Sequence, residues 1–404
     1  MKKKFIIIGG GAAGFFAAIN AAEFNPNLEV IILEGSNKVL QKVKVSGGGR
    51  CNVTHACFTP SELIEFYPRG KKELLGPFHQ FMTGDTMEWF EKRGILLKIE
   101  NDNRVFPESN SSQTIVDCFL ESAKNVGVKI LTSTRVNAID KQQEKYQITT
   151  EKNNFEADYL LVATGSNSKV WNMVEKLGHS IIEPVPSLFT FNISNQLLKD
   201  IPGISVPNAS IKVLNSKLFE QGPLLITHWG LSGPSILKLS AWGALELNAK
   251  EYQFEIEVNW LSKKYETILE FLKSTKKQQS KKQVIIRSIF EEIPKRLWEK
   301  LVTASQIPVN FQWAQLSNLQ LENLAKQLTQ SVFKVTGKST FKEEFVTAGG
   351  VDLKEINFKR FESKLHKNLF FAGEILNIDA ITGGFNFQNA WTSGWIVANT
   401  ISTL

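Results

Sequence analysis

Gly9, Gly10, Gly11, Ala12, Ala13 and Gly14 form a G-x-G-x-x-G turn close to the start of the chain. In such a turn the first glycine permits the tight bend and the second lets the backbone approach a pyrophosphate. The third lets the following helix pack close to the strand. Phosphate charge then faces the exposed N–H groups of the helix start. Glu34 follows twenty residues after Gly14, where a carboxylate can accept both ribose hydroxyls and disfavours a 2′-phosphate. The spacing predicts a dinucleotide site. Two further segments favour FAD over NAD there. Ala163-Thr164-Gly165 ends an apolar run late in the first half, and Phe371-Ala372-Gly373-Glu374 places an acid where it can hold ribitol hydroxyls. No second G-x-G-x-x-G occurs, because Gly47-Gly48-Gly49-Arg50-Cys51-Asn52 fails at its last position.

Other residues could tune or use a flavin. The loop from Ser46 to Asn52 offers small side chains and several N–H groups to a planar ring or a phosphate. Arg50 within it suits a phosphate contact, an influence on the ring's electronics, or a loop ion pair. Cys51 has no C-x-x-C partner, which favours a small packed residue over a redox thiol. Gly383, Gly384, Phe385 and Asn386 precede the last helical segment, whose N-terminal dipole could stabilise negative charge on a reduced flavin. His228 lies in a glycine-flanked loop and is the candidate acid or base. Its alternative is a structural histidine, as expected for His79, His179 and His366. There is no G-x-S-x-G, no H-E-x-x-H and no metal-ligand spacing of the five histidines and three cysteines, so no metal site is expected.

These residues need elements to position them. Residues 5–8 read as a strand buried on both faces, 12–24 as an Ala-rich helix and 28–33 as a second strand. Helices are predicted over 62–66, 85–93 and 112–126, and strands over 128–133, 146–150 and 155–162. From 187 to 260 short alternating runs predict antiparallel strands, a small barrel or sandwich, interrupted by a helix over 235–246. Residues 261–330 read as a helical insert, and 332–346 returns to strand character. A strand over 369–372 and a helix over 387–401 match the opening half. The expected organisation is α/β, with a discontinuous first domain (1–186 and 348–404). A β insert (187–260 and 331–347) and a helical insert (261–330) interrupt it.

Composition bounds the function. The 404 residues, with 42% hydrophobic and 22% charged, suit a globular multidomain chain without disulfide staples. Three cysteines in no paired pattern suit a reducing, cytoplasmic setting. Glycines interrupt the apolar stretch after Lys2–Lys4, so neither a targeting segment nor a membrane span is expected. Residues 261–300 hold eleven of the basic residues against five acids, nearly all of the net charge of +7. That run could grip nucleic acid, but a solvated helical face is the plainer reading, and nucleic acid is not the expected partner.

Several longer motifs occur in a fixed order. They are Ser46-Gly47-Gly48-Gly49-Arg50-Cys51-Asn52-Val53-Thr54, Thr227-His228-Trp229-Gly230-Leu231-Ser232-Gly233-Pro234, Thr347-Ala348-Gly349-Gly350-Val351, and Phe371–Glu374 followed by Gly383–Asn386. Together they resemble the BaiN-like flavoproteins, also called aminoacetone-oxidase-like, from residue 5 to about 400. The resemblance implies a Rossmann-type FAD-binding domain with an inserted β-barrel domain and an inserted helical domain. It implies an FAD-dependent oxidoreductase in which NADH or NADPH reduces the flavin, which then reduces a small unsaturated or carbonyl compound. An oxidase using O2 on an amine or ketone, and a flavoprotein acting on tRNA through the basic insert, are the alternatives. Gly35, Lys42 and Val136 join the motif residues as candidate cofactor contacts. His55, Ala380, Phe385 and Asn389 stand where relatives often carry other residues.

Overall fold

The computed structural model describes residues 2–339 and 346–404. The chain forms two compact units, residues 1–185 with 342–404 and residues 186–341. In the first unit an apolar strand, β1 (Lys4–Ile8), leads through the glycine turn into α1 (Ala12–Phe24) and β2 (Glu29–Leu33). The helix α2 (Ser112–Asn125) precedes β3 (Lys129–Leu131), and β4 (Tyr159–Val162) returns to the sheet centre. After the second unit the chain adds β5 (Leu369–Phe371) and the long helix α3 (Phe385–Ser402). The parallel order is β5-β4-β1-β2-β3, with two short antiparallel strands beyond β5. Strands are added on one side of β1 up to β3 and on the other side from β4 onward, and the strand ends at this switch between β1 and β4 open the crevice where such sheets bind ligands.

Burial on both faces explains the near-continuous apolar β1, β2 and β4. Residues Ala13 to Ala22 of α1 are all buried, so a helix of small residues is what fits. A Cβ at Gly394 of α3 would lie 2.8 Å from the Ala13 carbonyl oxygen, which is how closely the two helices cross. Phe16 meets Trp89 at 4.6 Å and Trp391 at 5.3 Å between ring centroids. Two of the polar side chains inside α3 tie it to the rest of the unit. Gln388 accepts from Thr54 at 2.6 Å and Thr86 at 3.0 Å and donates to Thr392. The Trp391 indole donates to the Val53 carbonyl at 2.9 Å. These bonds anchor the segment after the 46–52 loop to the last helix.

Elsewhere the structure departs from expectation. The run 155–162 is two strands. Asn154–Ala157 closes an antiparallel sheet with Lys145–Thr150, and only Tyr159–Val162 joins β1. The chain changes sheets at Asp158, whose N–H donates to the Lys4 carbonyl and whose carboxylate accepts from the Lys4 N–H. Helices at Gln41–Gly49 and Lys71–Phe78 were not foreseen.

His179 fastens the chain before β5. Its side chain is fully buried, with Nδ1 2.8 Å from Glu355 Oε2 and Nε2 2.9 Å from Ser363 Oγ. Ser363 Oγ already accepts the N–H groups of Leu365 and His366. Its own hydrogen therefore goes to Nε2, and the neutral ring donates from Nδ1 to Glu355. Burial lowers the His179 pKa below 6.5, against the opposing pull of Glu355. The unfolded chain then binds the proton first, so stability falls as pH drops through 6.5 toward the folded pKa. Urea midpoints at pH 7.5 and 5.5 should show that fall in the wild type and a smaller one in His179→Gln; equal falls would reject the assignment.

Among the described residues of the second unit, seven strands pair antiparallel throughout. Their order is Ser331–Val335, Phe254–Asn259, Ser205–Val213, Phe219–Ile226, Gly230–Ser232, Thr190–Asn192 and Lys338–Ser339. The expected helix over 235–246 breaks at Gly243 into Pro234–Trp242 and Ala244–Ala249. Tyr265–Gln278, Lys295–Ala304 and Asn318–Thr329 supply the expected helices, the last capped by Ser317 and Gln320 in a capping box. Strands and helices share one apolar core that includes Ile256, Trp260, Leu272, Trp298, Trp313 and Leu328. Part of the strand expected over 332–346, residues 340–345, lies outside the described residues.

Candidate functional site

The three fingerprint glycines are required for three different physical reasons. Gly9 has φ +114° and a Cβ there would sit 2.4 Å from the Ala163 carbonyl oxygen at the end of β4. A Cβ at Gly14 would lie 2.1 Å from the Gly9 oxygen. Gly11 is extended, with φ −94°, and a Cβ there meets nothing within 4 Å, so it faces open space above the turn. Glu34 closes the turn from β2. One carboxylate oxygen accepts from Gly10 N–H and the other from Ser36 N–H, both at 2.8 Å. Gly35 lies beside Arg135 and Val136 begins the strand Val136–Gln142, so the structure brings these two to the Glu34 corner.

A second group of predicted residues meets at Glu374. Lys42 pairs with Glu374 Oε2 at 2.5 Å, Thr347 N–H donates to Oε1 at 3.1 Å, and a Cβ at Gly165 would be 3.2 Å from Oε2. Gly373, at φ +72°, presses against Ala13 of α1 and its N–H donates to Ser393 Oγ. Ala163, Thr164 and Gly165 on one strand end and Gly373 and Glu374 on the next thus flank the start of α1. Sequence reasoning missed Thr347 as a partner of Glu374. It lies in a motif read as specific, but nothing in that motif marks a backbone N–H as the donor.

The third group joins the 46–52 loop to the N-terminus of α3. Ser46, Gly47 and Gly48 break the helix Gln41–Gly49, with Gly47, Gly48 and Gly49 all at positive φ. Nothing lies within 4 Å of a Cβ at Gly48 or Gly49, whereas one at Gly47 would be 2.9 Å from Asn52 N. Gly384, at φ +92°, fits under the Thr54 carbonyl, 2.6 Å from where its Cβ would be. No hydrogen bond among the described residues uses the N–H groups of Gly383, Gly384, Phe385 or Asn386. The Asn386 side chain is spent on Ala380 N–H and C=O. The Phe385 ring stacks on both His55 (4.5 Å) and Phe66 (4.3 Å), which themselves lie 5.5 Å apart, so two positions where relatives often differ touch each other.

Cys51 is fully buried and burial pushes its thiol up to about 12, so it carries no thiolate near neutrality. Arg50 pairs with Glu100 at 2.7 Å and lies 3.9 Å over the Phe106 ring. Asn52 Oδ1, Thr164 Oγ1, Thr347 Oγ1 and Asn389 Oδ1 are buried without a hydrogen-bond partner. Buried polar atoms are normally satisfied, and these four belong to or adjoin the motifs of this crevice. With the Cβ-sized space over Gly11, Gly48 and Gly49, they fit FAD. Ala12 and Ala13 would add first-turn N–H groups to its diphosphate, and Glu34 and Glu374 would hold its ribose and ribitol hydroxyls.

His228 belongs to the second unit. It is exposed at the turn that Thr227 closes by accepting the N–H groups of Trp229 and Gly230. It lines an open cleft of about 240 Å³ with Ile193, Asn195, Lys199, Thr227 and Gly230. Among the described residues, no helix is long and apolar enough to cross a membrane and no three acidic, His or Cys side chains cluster around a metal position.

Comparison with known proteins follows these features. Over 96% of its length the chain is 27% identical to the 3-dehydro-bile acid delta(4,6)-reductase of Clostridium scindens, covering 97% of it. It is 29% identical to a ribosomal RNA dihydrouridine synthase of Haemophilus influenzae, over 98% of both chains. In structure it resembles a 3-ketosteroid-delta4-(5alpha)-dehydrogenase from Rhodococcus jostii with a TM-score of 0.52 at 12% identity, covering 98% of this chain and 97% of that one. That likeness speaks for the fold alone. The HI0933-like protein Rossmann domain matches residues 3–400. Glycine turn, acid and paired strand ends thus sit in a family match spanning nearly the whole chain: it belongs to the HI0933-like Rossmann family and is an FAD-dependent oxidoreductase.

Proposed function

We propose that the protein uses NADH or NADPH, through FAD, to reduce a carbon–carbon double bond conjugated to a carbonyl in a small organic substrate. Bond chemistry shared by the relatives' names carries this reading. A delta(4,6)-reductase of a 3-oxo steroid and a synthase of dihydrouridine both saturate such a bond. The overall change adds a hydride at the β-carbon and a proton at the α-carbon, and oxidises the nicotinamide. FAD, when bound, supplies the two-electron relay between donor and substrate. The chain's own residues bind and orient it. Gly11 and the first turn of α1 receive the diphosphate, and Lys42 with Thr347 holds Glu374 in place. The N–H groups at Gly383–Asn386 stabilise the negative charge that gathers on reduction. His228 is the proposed proton donor, because the cleft it lines leaves its imidazole open to a substrate.

A second reading keeps the bond and changes its carrier to a uracil base in RNA. Two features favour it: the name of the second relative, and the exposed Lys273, Lys277, Lys281, Lys282 and Arg287. Against it, Phe290 and Trp298 of the same run are buried in the core and provide no stacking platform. Anaerobic mixing of the yellow protein with NADH and NADPH tests the common chemistry. Bleaching by one of them is expected, and bleaching by neither would reject a nicotinamide donor. Lys277→Ala/Lys281→Ala/Lys282→Ala separates the carriers. For a small substrate we expect unchanged reduction and stability within about 0.5 kcal/mol. RNA affinity that falls in this variant, with a salt slope reduced by up to about 0.9 for each duplex phosphate no longer neutralised, would support the second reading.

A further inference from the structure

Asp379 is fully buried and accepts the guanidinium of Arg69 through Nε and Nη2, a fork that reaches across 310 residues of chain. The two backbones bridge at the same place, Ile381 N–H donates to the Phe66 carbonyl at 3.1 Å, and Ile378 fills the space where a Gly70 Cβ would be. Tyr67 Oη donates to the Phe385 carbonyl at 2.5 Å, and Asn386 grips both polar groups of Ala380. Residues 379–386 are therefore held at both ends by short bonds. Between those ends lie Thr382, Gly383 and Gly384, whose N–H groups donate to nothing among the described residues. A buried ion pair is a poor device for stability, since apolar residues of similar size usually serve as well or better. It is a good device for fixing one geometry, because parting the two leaves a buried charge uncompensated.

We infer that Arg69 and Asp379 are positioning residues. Their fork fixes the 379–384 loop so that its open N–H groups face the pyrimidine end of the flavin, where charge gathers on reduction. The inference rests on the FAD assignment, and the flavin content of the wild-type protein tests that assignment separately. The reduced, more negative form should depend on the pair more than the oxidised form does.

The test compares wild type, Asp379→Asn and the double variant Arg69→Met/Asp379→Leu. Readouts are FAD affinity by flavin fluorescence, the flavin midpoint potential and absorption spectrum, and the unfolding midpoint. The double variant should unfold near the wild-type midpoint, because both charges leave together. It should bind FAD about tenfold more weakly, and reduced FAD a further tenfold more weakly than oxidised. That second factor is a fall of about 30 mV for a two-electron couple. Asp379→Asn should shift the potential in the same direction if it folds. A folded double variant with wild-type potential and spectrum would overturn the inference. A double variant that fails to fold would also overturn it, since the pair would then be a structural fastening.

Discussion

Gly11→Val should give a folded protein that purifies colourless. The backbone at Gly11 is extended, a conformation valine adopts freely, and a Cβ there has nothing within 4 Å. The cost to stability is that of a poorer helix N-cap, about 1 kcal/mol. The two γ-methyls would fill the space over the first turn of α1, where the diphosphate must approach the backbone. FAD affinity should fall by about 100-fold or more, which corresponds to ~2.7 kcal/mol. Flavin occupancy after purification, and titration of apoprotein with FAD, measure it. Full occupancy would mean that the diphosphate lies elsewhere. Gly9→Ala gives the contrast. It belongs to the same motif, but its Cβ would run into the Ala163 carbonyl at φ +114°, so the protein itself should fail.

Gly384→Ala should have a large effect on stability. Its φ is +92° and the added carbon would sit 2.6 Å from the carbonyl carbon and oxygen of Thr54. Strain and overlap together should cost about 3 kcal/mol or more. The carbonyl cannot retreat, because the Thr54 hydroxyl is bonded to Gln388 and the neighbouring Val53 carbonyl accepts from Trp391. Flavin binding should weaken as well, since the 46–52 loop leads directly into Thr54. Gly48→Ala is the control, because its Cβ meets no protein atom within 4 Å. Urea unfolding of both variants decides the matter, and equal midpoints would reject the close approach at Gly384.

The sequence made local features legible and long-range ones not. The helix expected over 12–24 is Ala12–Phe24, and the one expected over 387–401 is Phe385–Ser402. Both are long segments preceded by glycines, where a turn signal and helical composition agree. The run 155–162 misled because apolar content says that a strand is buried without saying which sheet it joins. The helix Gln41–Gly49 was hidden by its three glycines, which belong to the kink at its end. Candidate residues could be named where glycine spacing itself suggests a chemistry, as at 9–14 and 383–384. Arg69 with Asp379, and Thr54 with Gln388, were invisible. Each pair joins side chains more than 300 residues apart, and no periodicity or local motif encodes a partner at that distance.

The insertion at residue 185 has a consequence for biosynthesis. When β4 leaves the ribosome, β5 and α3 are still roughly 200 residues away, about 10–40 s at 5–20 residues per second. Through that interval α1 lacks the helix that covers it, and Phe16 lacks Trp391. The sheet is also open along the edge of β4 that β5 will pair. The second unit, whose residues are contiguous, can be finished first. Assembly of the FAD domain is therefore tied to completion of the chain, and the early half passes through synthesis as an incomplete, chaperone-accessible intermediate. A nascent chain stopped within the insert would carry the whole dinucleotide turn and still lack Glu374 and the N-terminus of α3.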